Sequence, residues 1–282
     1  MTAVATCSAV AAGCRFEPQG EGRVSSVIDN RTFRLEDGRE IRLAGIQTVS
    51  TGAAALAALI AGRDVSLRGE TDVPDRWGRQ SAFVYTGGSE AAVQGSDTSV
   101  QEPDTSVQGM LLAQGEALVS ADVADRGCAA ELATAEALAR QAKRGGWADP
   151  GVIKNAESPG DILASMGRFT VVEGKVLSVR QAGATFYVNF GRRWTQDFAA
   201  TISKRMMASF EAVGITAKSL ENRRIRIRGW VEQRGGPRME LLRVEQIEVV
   251  GENDGVIRKS GNRPAEKHVS GSGPGDHGET EK

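Results

Sequence analysis

The chain has 282 residues, 40% of them hydrophobic and 25% charged, and a formal net charge of -1; that length and composition fit a globular protein with room for two ordinary domains. No run approaches the about 18 consecutive apolar residues of a membrane-spanning helix. Both histidines, His268 and His277, stand in the polar C-terminal stretch. This sets aside a Ser-His-Asp triad, a Cys-His dyad and a His-ligated zinc for the folded part.

The near-zero charge conceals an imbalance. Residues 1–150 hold 14 Lys+Arg against 20 Asp+Glu, a net of -6, whereas residues 161–250 hold 15 against 9, a net of +6. Opposite signs point to different partners or to mutual attraction, against the plainer reading of ordinary solvated faces. Three cysteines, Cys7, Cys14 and Cys128, form no C-x-x-C pair. Cys14 and Cys128 are candidates for a disulfide that ties the N-terminus to a helix; two separate buried thiols are the alternative. The opening MTAVATCSAVAAGC, with its A-x-A at residues 9–11, is similar to the end of a secretory signal that lacks the basic leading region. Export to the periplasm or the exterior is the expectation, and a cytoplasmic location is the alternative.

Residues 1–20 read as an N-terminal segment. Over 23–48, RVSSVI, TFRLE and REIRLAGI alternate as a three-stranded meander with a tight Asp37-Gly38 turn. GAAALAALIA at 52–61 predicts a short helix, and 63–67 and 80–85 predict two more strands. Residues 86–106 contain DTSVQ twice, at 97–101 and 104–108, and read as a lengthened surface loop. SVQGMLLAQGEALV then predicts a helix, and residues 128–144 predict the clearest one, with Leu132, Ala135, Leu138, Ala139 and Ala142 on one face. Gly145-Gly146 should stop it, and Trp147 should fold back as a core anchor. Residues 150–167 read as a linker with a short helical element.

From Arg168 strands resume. RFTVVEGKVLSVR is interrupted at Gly174, and ATFYVNF and 198–202 follow. A helix covers 205–213, and RRIRIRGWVEQR pairs with RMELLRVEQIEVV across Gly235-Gly236-Pro237. Three strands, a helix and two strands are the order of an OB-fold barrel. Residues 251–282, rich in Gly, Ser and charge, read as a disordered tail. The fold expected is mainly β (α+β). It comprises two OB-type five-stranded barrels at 21–149 and 168–250, the first with packed helices.

Four segments of the first barrel, in order, carry a resemblance. Val27-Ile28-Asp29-Asn30-Arg31-Thr32 is similar to a V-x-D-G-D-T turn, and the run Ile41 to Thr48 to an R-L-x-G-I-D-T-P-E strand. Asp75-Arg76-Trp77-Gly78-Arg79 is similar to D-x-Y-G-R. Leu112 to Ala117, followed by the helix ending in Gly146-Trp147-Ala148, resembles L-V-x-x-G-x-A and a terminal G-x-W. Over residues 21–149 the chain resembles the staphylococcal-nuclease-like (thermonuclease) family. Its members cleave phosphodiesters with two arginines and several carboxylates around Ca²⁺.

The resemblance implies Arg42 and Arg79 as the catalytic arginines, and Arg31, Arg42, Arg79 and Thr48 as a phosphate-binding set. Guanidinium forks suit the spread charge of a phosphoryl-transfer transition state. The calcium positions depart from the family. Arg31 and Gln47 replace two metal-binding aspartates, Ser50 stands for the family's glutamate, and Val49 for the proline before it. Only Asp29 remains as a metal-ligand candidate, and it is also an ordinary turn residue. The reading is therefore a cationic cluster fit for phosphate and poor for Ca²⁺, with weak or absent nuclease activity on DNA or RNA. Trp77 is a candidate for stacking on a base. In the second barrel Arg192, Arg193, Lys204, Arg205, Arg223, Arg224, Arg226 and Arg228 could frame a second nucleic-acid groove. Phe186, Tyr187, Phe190, Trp194 and Trp230 lie among them. The alternative is an exported, non-catalytic OB-fold module for polyanions or proteins.

Overall fold

The long first strand sets the geometry of the N-terminal half. β1 (Glu17–Asp29) pairs through its first part with β5 (Asp64–Gly69) and through its second with β2 (Thr32–Leu35). A strand that serves two neighbours must bend, and register shifts break both of its ladders. β2 continues into β3 (Glu40–Leu43), which lies parallel to β6 (Arg79–Thr86), and β6 returns to β5. The five strands form a closed barrel in the order β1-β2-β3-β6-β5. The computed structural model describes Cys14 and residues 16–49, 52–86 and 105–251. Cys7, Ser50, the first DTSVQ copy, His268, His277 and the tail beyond 251 lie outside the described residues. β1 starts at Glu17, ahead of the boundary expected at 21.

Alternation fills the barrel. Phe33, Leu35, Ile41, Leu43, Val65, Leu67 and Phe83 point inward and are buried. Helix α1 (Gly52–Ile60) adds Leu56 and Ile60, and α2 (Val107–Gln114) adds Leu111 and Leu112. The stretch expected as one helix over 106–119 divides at Gly115. Its φ of +77° closes α2, and a Cβ there would lie 2.1 Å from the Arg144 carbonyl oxygen. The chain then leaves as strand β7 (Ala117–Val119), which pairs with β4 (Ile46–Thr48). Helix α3 (Arg126–Gln141) begins on an Asp125 cap, and Cys128 at its start is disulfide-bonded to Cys14. Tyr85 donates its hydroxyl hydrogen to the Cys14 carbonyl. The buried face of α3 is Cys128, Ala129, Leu132, Glu136 and Ala139. Leu138, expected inward, is 51% exposed, and Glu136 holds the inner position at 1%.

The second half has its own core, which includes Val172, Val188, Phe198, Ile202, Phe210, Ile225, Ile227 and Met239. Where the expectation was a five-stranded barrel at 168–250, the strands of 153–249 join in one eight-stranded sheet. β8 (Ile153–Asn155), inside the expected linker, lies parallel to β9 (Phe169–Lys175). Helix α4 (Pro159–Leu163) separates the two. β9 pairs with β13 (Arg224–Arg234). β10 (Ser178–Ala182) pairs with β11 (Thr185–Asn189), and β11 with β12 (Ala199–Ser203). Helix α5 (Lys204–Glu211) and the short α6 (Ala217–Leu220) lead into β13. β14 (Gly236–Glu240) joins β12 in parallel and β13 antiparallel.

The extra strands have local causes. The run expected to break at Gly174 passes through it. Gly174 pairs with Ile225, and a Cβ there would lie 2.4 Å from that of Ala156. The break comes at Val176-Leu177, between β9 and β10. Gln246 divides the last segment. It accepts from Leu242 N at 2.6 Å and donates to Arg228 O at 2.9 Å, so β15 (Ile247–Val249) pairs along the near end of β13.

The halves meet along a seam. Leu118, Ala139 and Trp147 pack with Val171, flanked by Val49, Val152, Ile153 and Phe169. The anchoring role expected of Trp147 is thus played between the two halves. No helix among the described residues is long and apolar enough to cross a membrane.

Candidate functional site

The segment Asp75 to Arg79 folds onto itself. Asp75 Oδ1 accepts from Trp77 N at 2.9 Å and Arg79 N at 3.0 Å, and Gly78 takes a φ of +80°, which closes the turn. Asp75 Oδ2 accepts from Arg79 Nε at 3.0 Å and Nη2 at 2.8 Å, a two-point grip that fixes the guanidinium plane. The parallel β3/β6 ladder sets Arg42 opposite Ser81, next to that turn. Arg42 Nη1 lies 3.9 Å from the same Oδ2. The two arginines therefore converge on one carboxylate at the barrel rim.

Burial alone would raise the Asp75 carboxyl pKa, but the Arg79 hydrogen bonds, those from the backbone of Arg79 and Trp77, and the Arg79 charge bring it down to about 2. Burial lowers the pKa of Arg42, and the adjacent Arg79 charge adds to this. Asp75, Asp29 and Asp122 act against it. Arg42 thus feels three carboxylates. This corrects the expectation of a bare cationic cluster: the arginines have kept counter-charges, supplied by the turn and by the loop after β7. Asp122 accepts from the Ser120 hydroxyl and borders a cleft of about 100 Å³ with Glu70, Thr71 and Ser81.

The other expected residues make contacts of their own around this pair. Arg31 Nη1 donates to the Ile46 carbonyl at 3.2 Å. Thr48 and Gln47 lie on β4 in register with Ala117 and Leu118. Asp29 Oδ1 accepts from Arg31 N at 2.8 Å, the local bond of a turn residue. Trp77 is 61% exposed, with the guanidinium of Arg76 over its ring at 3.9 Å and that of Arg79 at 4.8 Å. Both oxygens of Asp75 are engaged by Arg79 and the turn backbone. Among the described residues no three His, Cys, Asp or Glu side chains gather for a metal.

Three of the arginines expected to frame the second groove do not line one. In RRIRIRGW the isoleucines face the second core, and Arg224, Arg226 and Arg228 face the other way, where Arg228 reaches Val119 and Glu136 of the first half. There they enter a chain of alternating charge: Arg224–Glu173–Arg226–Glu248–Arg140–Glu136–Arg228. Its innermost pair is bidentate, with Arg228 Nη1 and Nη2 at 2.8 and 2.9 Å from the Glu136 oxygens. Burial on its own would lower the pKa of Arg228, yet Glu136 and Glu248 raise it above the usual value. The sequence did offer a signal for Glu136, a charged residue at core spacing from Leu132 and Ala139. Asp75 was visible in its motif without a role. Nothing in the sequence marked Asp122. No protein-family model and no curated protein matches this chain.

Proposed function

We propose that the chain is a thermonuclease-like protein of two OB-type barrels that binds nucleic-acid phosphodiesters at the first barrel and cleaves them weakly or not at all. The observation that carries this reading is the convergence of Arg42 and Arg79 on Asp75 Oδ2. Two guanidinium groups held side by side can share one phosphate, and the aspartate keeps them aligned before it arrives. Arg42, gripped only at 3.9 Å, has donors to give. The strand order β1-β2-β3-β6-β5, with its parallel β3/β6 pair, supports the OB reading of the first half. In the second half β9 and β10 are consecutive halves of one run, and the path from β10 through β11, β12, β14 and β13 returns to β9. That circuit supports the same reading.

Cleavage is the weaker side of the reading. The residues at the calcium positions suit an anion rather than a cation, and an arginine can clamp phosphate but cannot activate water as a metal does. The Cys14–Cys128 disulfide favours an oxidising compartment, the periplasm or the exterior. A second reading, an exported module for polyanions or proteins, draws on the same disulfide.

The test uses the purified full chain with DNA and RNA oligonucleotides, in Ca²⁺ and in chelator. Binding should weaken with salt. It should fall in Arg42→Ala and Arg79→Ala, with cleavage no greater than in those variants. Binding that ignores both substitutions would refute the site, and calcium-dependent cleavage abolished by them would refute the loss of activity.

A further inference from the structure

The second sheet bears a groove of about 570 Å³ on the outer face of β10, β11, β12 and β14, a volume of the class that takes an organic ligand. Strand alternation builds it. Val188 points into the core, so its neighbours Tyr187 and Asn189 on β11 point out. Tyr187 pairs with Arg180 of β10, and Asn189 pairs with Ala199, which pairs with Arg238 of β14. The small Ala199 between longer side chains leaves the depression. The other wall is the loop before β12. Asp197 Oδ2 accepts from Arg193 N at 2.7 Å, and Gly191 lies so close that a Cβ would meet that oxygen at 2.2 Å. This fixed loop presents Trp194, 78% exposed, and Arg192.

The charged groups of the walls are mostly of one sign. Arg180, Arg192, Arg234 and Arg238 line the groove, and Asp197, the acid among them, already holds the Arg193 backbone. Arg180 and Arg192 enter no ion pair among the described residues, and Arg234 is held by Glu232 only at 3.6 Å on an exposed edge. The guanidinium of Arg238 lies 5.4 Å from the Tyr187 ring centre, which makes one cationic, flat platform. The contacts with the first half run through β8, β9, β13 and β15, so among the described residues the first half leaves this face uncovered.

We infer that this groove is a binding site for single-stranded nucleic acid, with bases stacked on Trp194 and on the Tyr187–Arg238 platform and phosphates held by Arg180, Arg192 and Arg234. Arginines beside exposed aromatic faces match a ligand that alternates anion and flat ring. A duplex keeps its base faces stacked within itself and cannot offer them. The site is separate from the Arg42–Arg79 pair and does not rest on it.

The experiment is fluorescence anisotropy on the full chain with labelled dT12 and U12, the same-length abasic strand, a duplex, and heparin as competitor. The variants are Arg180→Ala with Arg238→Ala, Trp194→Ala, Trp194→Phe, and the first-site pair Arg42→Ala with Arg79→Ala; circular dichroism checks folding. The groove double variant and Trp194→Ala should each lose about five- to tenfold or more in affinity for dT12 or U12. Trp194→Phe should retain most of it, and the abasic strand should bind weaker by a similar factor. Equal binding of the abasic strand, full displacement by heparin at matched charge, or no binding at all would overturn the proposal. So would loss confined to the first-site variant, a result that would instead favour the Arg42–Arg79 reading. Loss confined to the groove variants would sustain this site and count against the first one.

Discussion

Removing one partner of the Glu136–Arg228 pair should destabilise the whole chain, and removing both should cost less than the sum. The two groups sit at 1% and 7% side-chain exposure between α3 and β13, 92 residues apart in sequence. Glu136 Oε2 also accepts from Val119 N at 2.5 Å, and Arg228 Nη1 donates to Val119 O at 3.1 Å. Glu136→Leu would leave the guanidinium with Val119 O and a carboxylate oxygen of Glu248 3.9 Å away. Breaking a buried pair from one side costs about 3–5 kcal/mol, which for a protein of this size lowers the melting temperature by roughly 6–20 °C. In Glu136→Leu with Arg228→Met the uncompensated charge disappears, and the remaining cost is the two orphaned Val119 backbone groups, about 1–3 kcal/mol each. A double-mutant cycle should therefore return a coupling of about 4 kcal/mol. Denaturant titration followed by circular dichroism and tryptophan fluorescence measures it. Single substitutions costing under about 1 kcal/mol, or simple additivity, would mean that these groups are solvated and the seam is not closed.

Other outcomes follow from the same geometry. Asp75→Asn keeps the Oδ1 acceptor for the turn but removes the counter-charge, so oligonucleotide affinity should rise about two- to fivefold in anisotropy titrations; a fall would show that the aspartate's alignment of Arg79 outweighs its charge. The Asp75 pKa of about 2 lies below its ordinary value, so the Asp75–Arg79 contribution is complete above the unfolded pKa and is lost as pH falls toward 2. Glu173 behaves in the same sense: burial would raise its pKa, but hydrogen bonds from Arg224 and Arg226 hold it below the usual carboxylate range. A pH titration of stability should therefore show loss on the acid side. Replacing Cys14 and Cys128 by serine opens a loop of 114 residues and should cost about 2–5 kcal/mol in chemical denaturation. Gly115→Ala should cost more than about 1 kcal/mol, because the left-handed φ and the Arg144 carbonyl both oppose a side chain.

Much of the path of the chain was legible because period and punctuation are local. The alternation around Asp37-Gly38, the alanine-rich run of α1 and the Asp-capped helix α3 each carry their signal within about a dozen residues. Arg42 and Arg79 could be singled out through ordered motifs. Their meeting at Asp75 could not, since it depends on the parallel pairing of β3 with β6. The division of the last segment into β14 and β15 escaped notice because it depends on the Gln246 side chain reaching Arg228 O across the sheet.

The amino-acid order by itself determined which faces of the strands and helices are apolar, where turns fall, and that the halves differ in charge. Tertiary structure alone decided what covers each polar face. Arg-Ile alternation in β13 describes a strand bathed in water as well as one laid against a neighbour, because periodicity fixes the direction of a side chain and not its surroundings. Here that face meets α3, so Arg226 and Arg228 become buried partners of Glu248 and Glu136. The open basic face is instead the one bearing Arg180, Tyr187 and Arg238, brought together from three strands by the curl of the sheet.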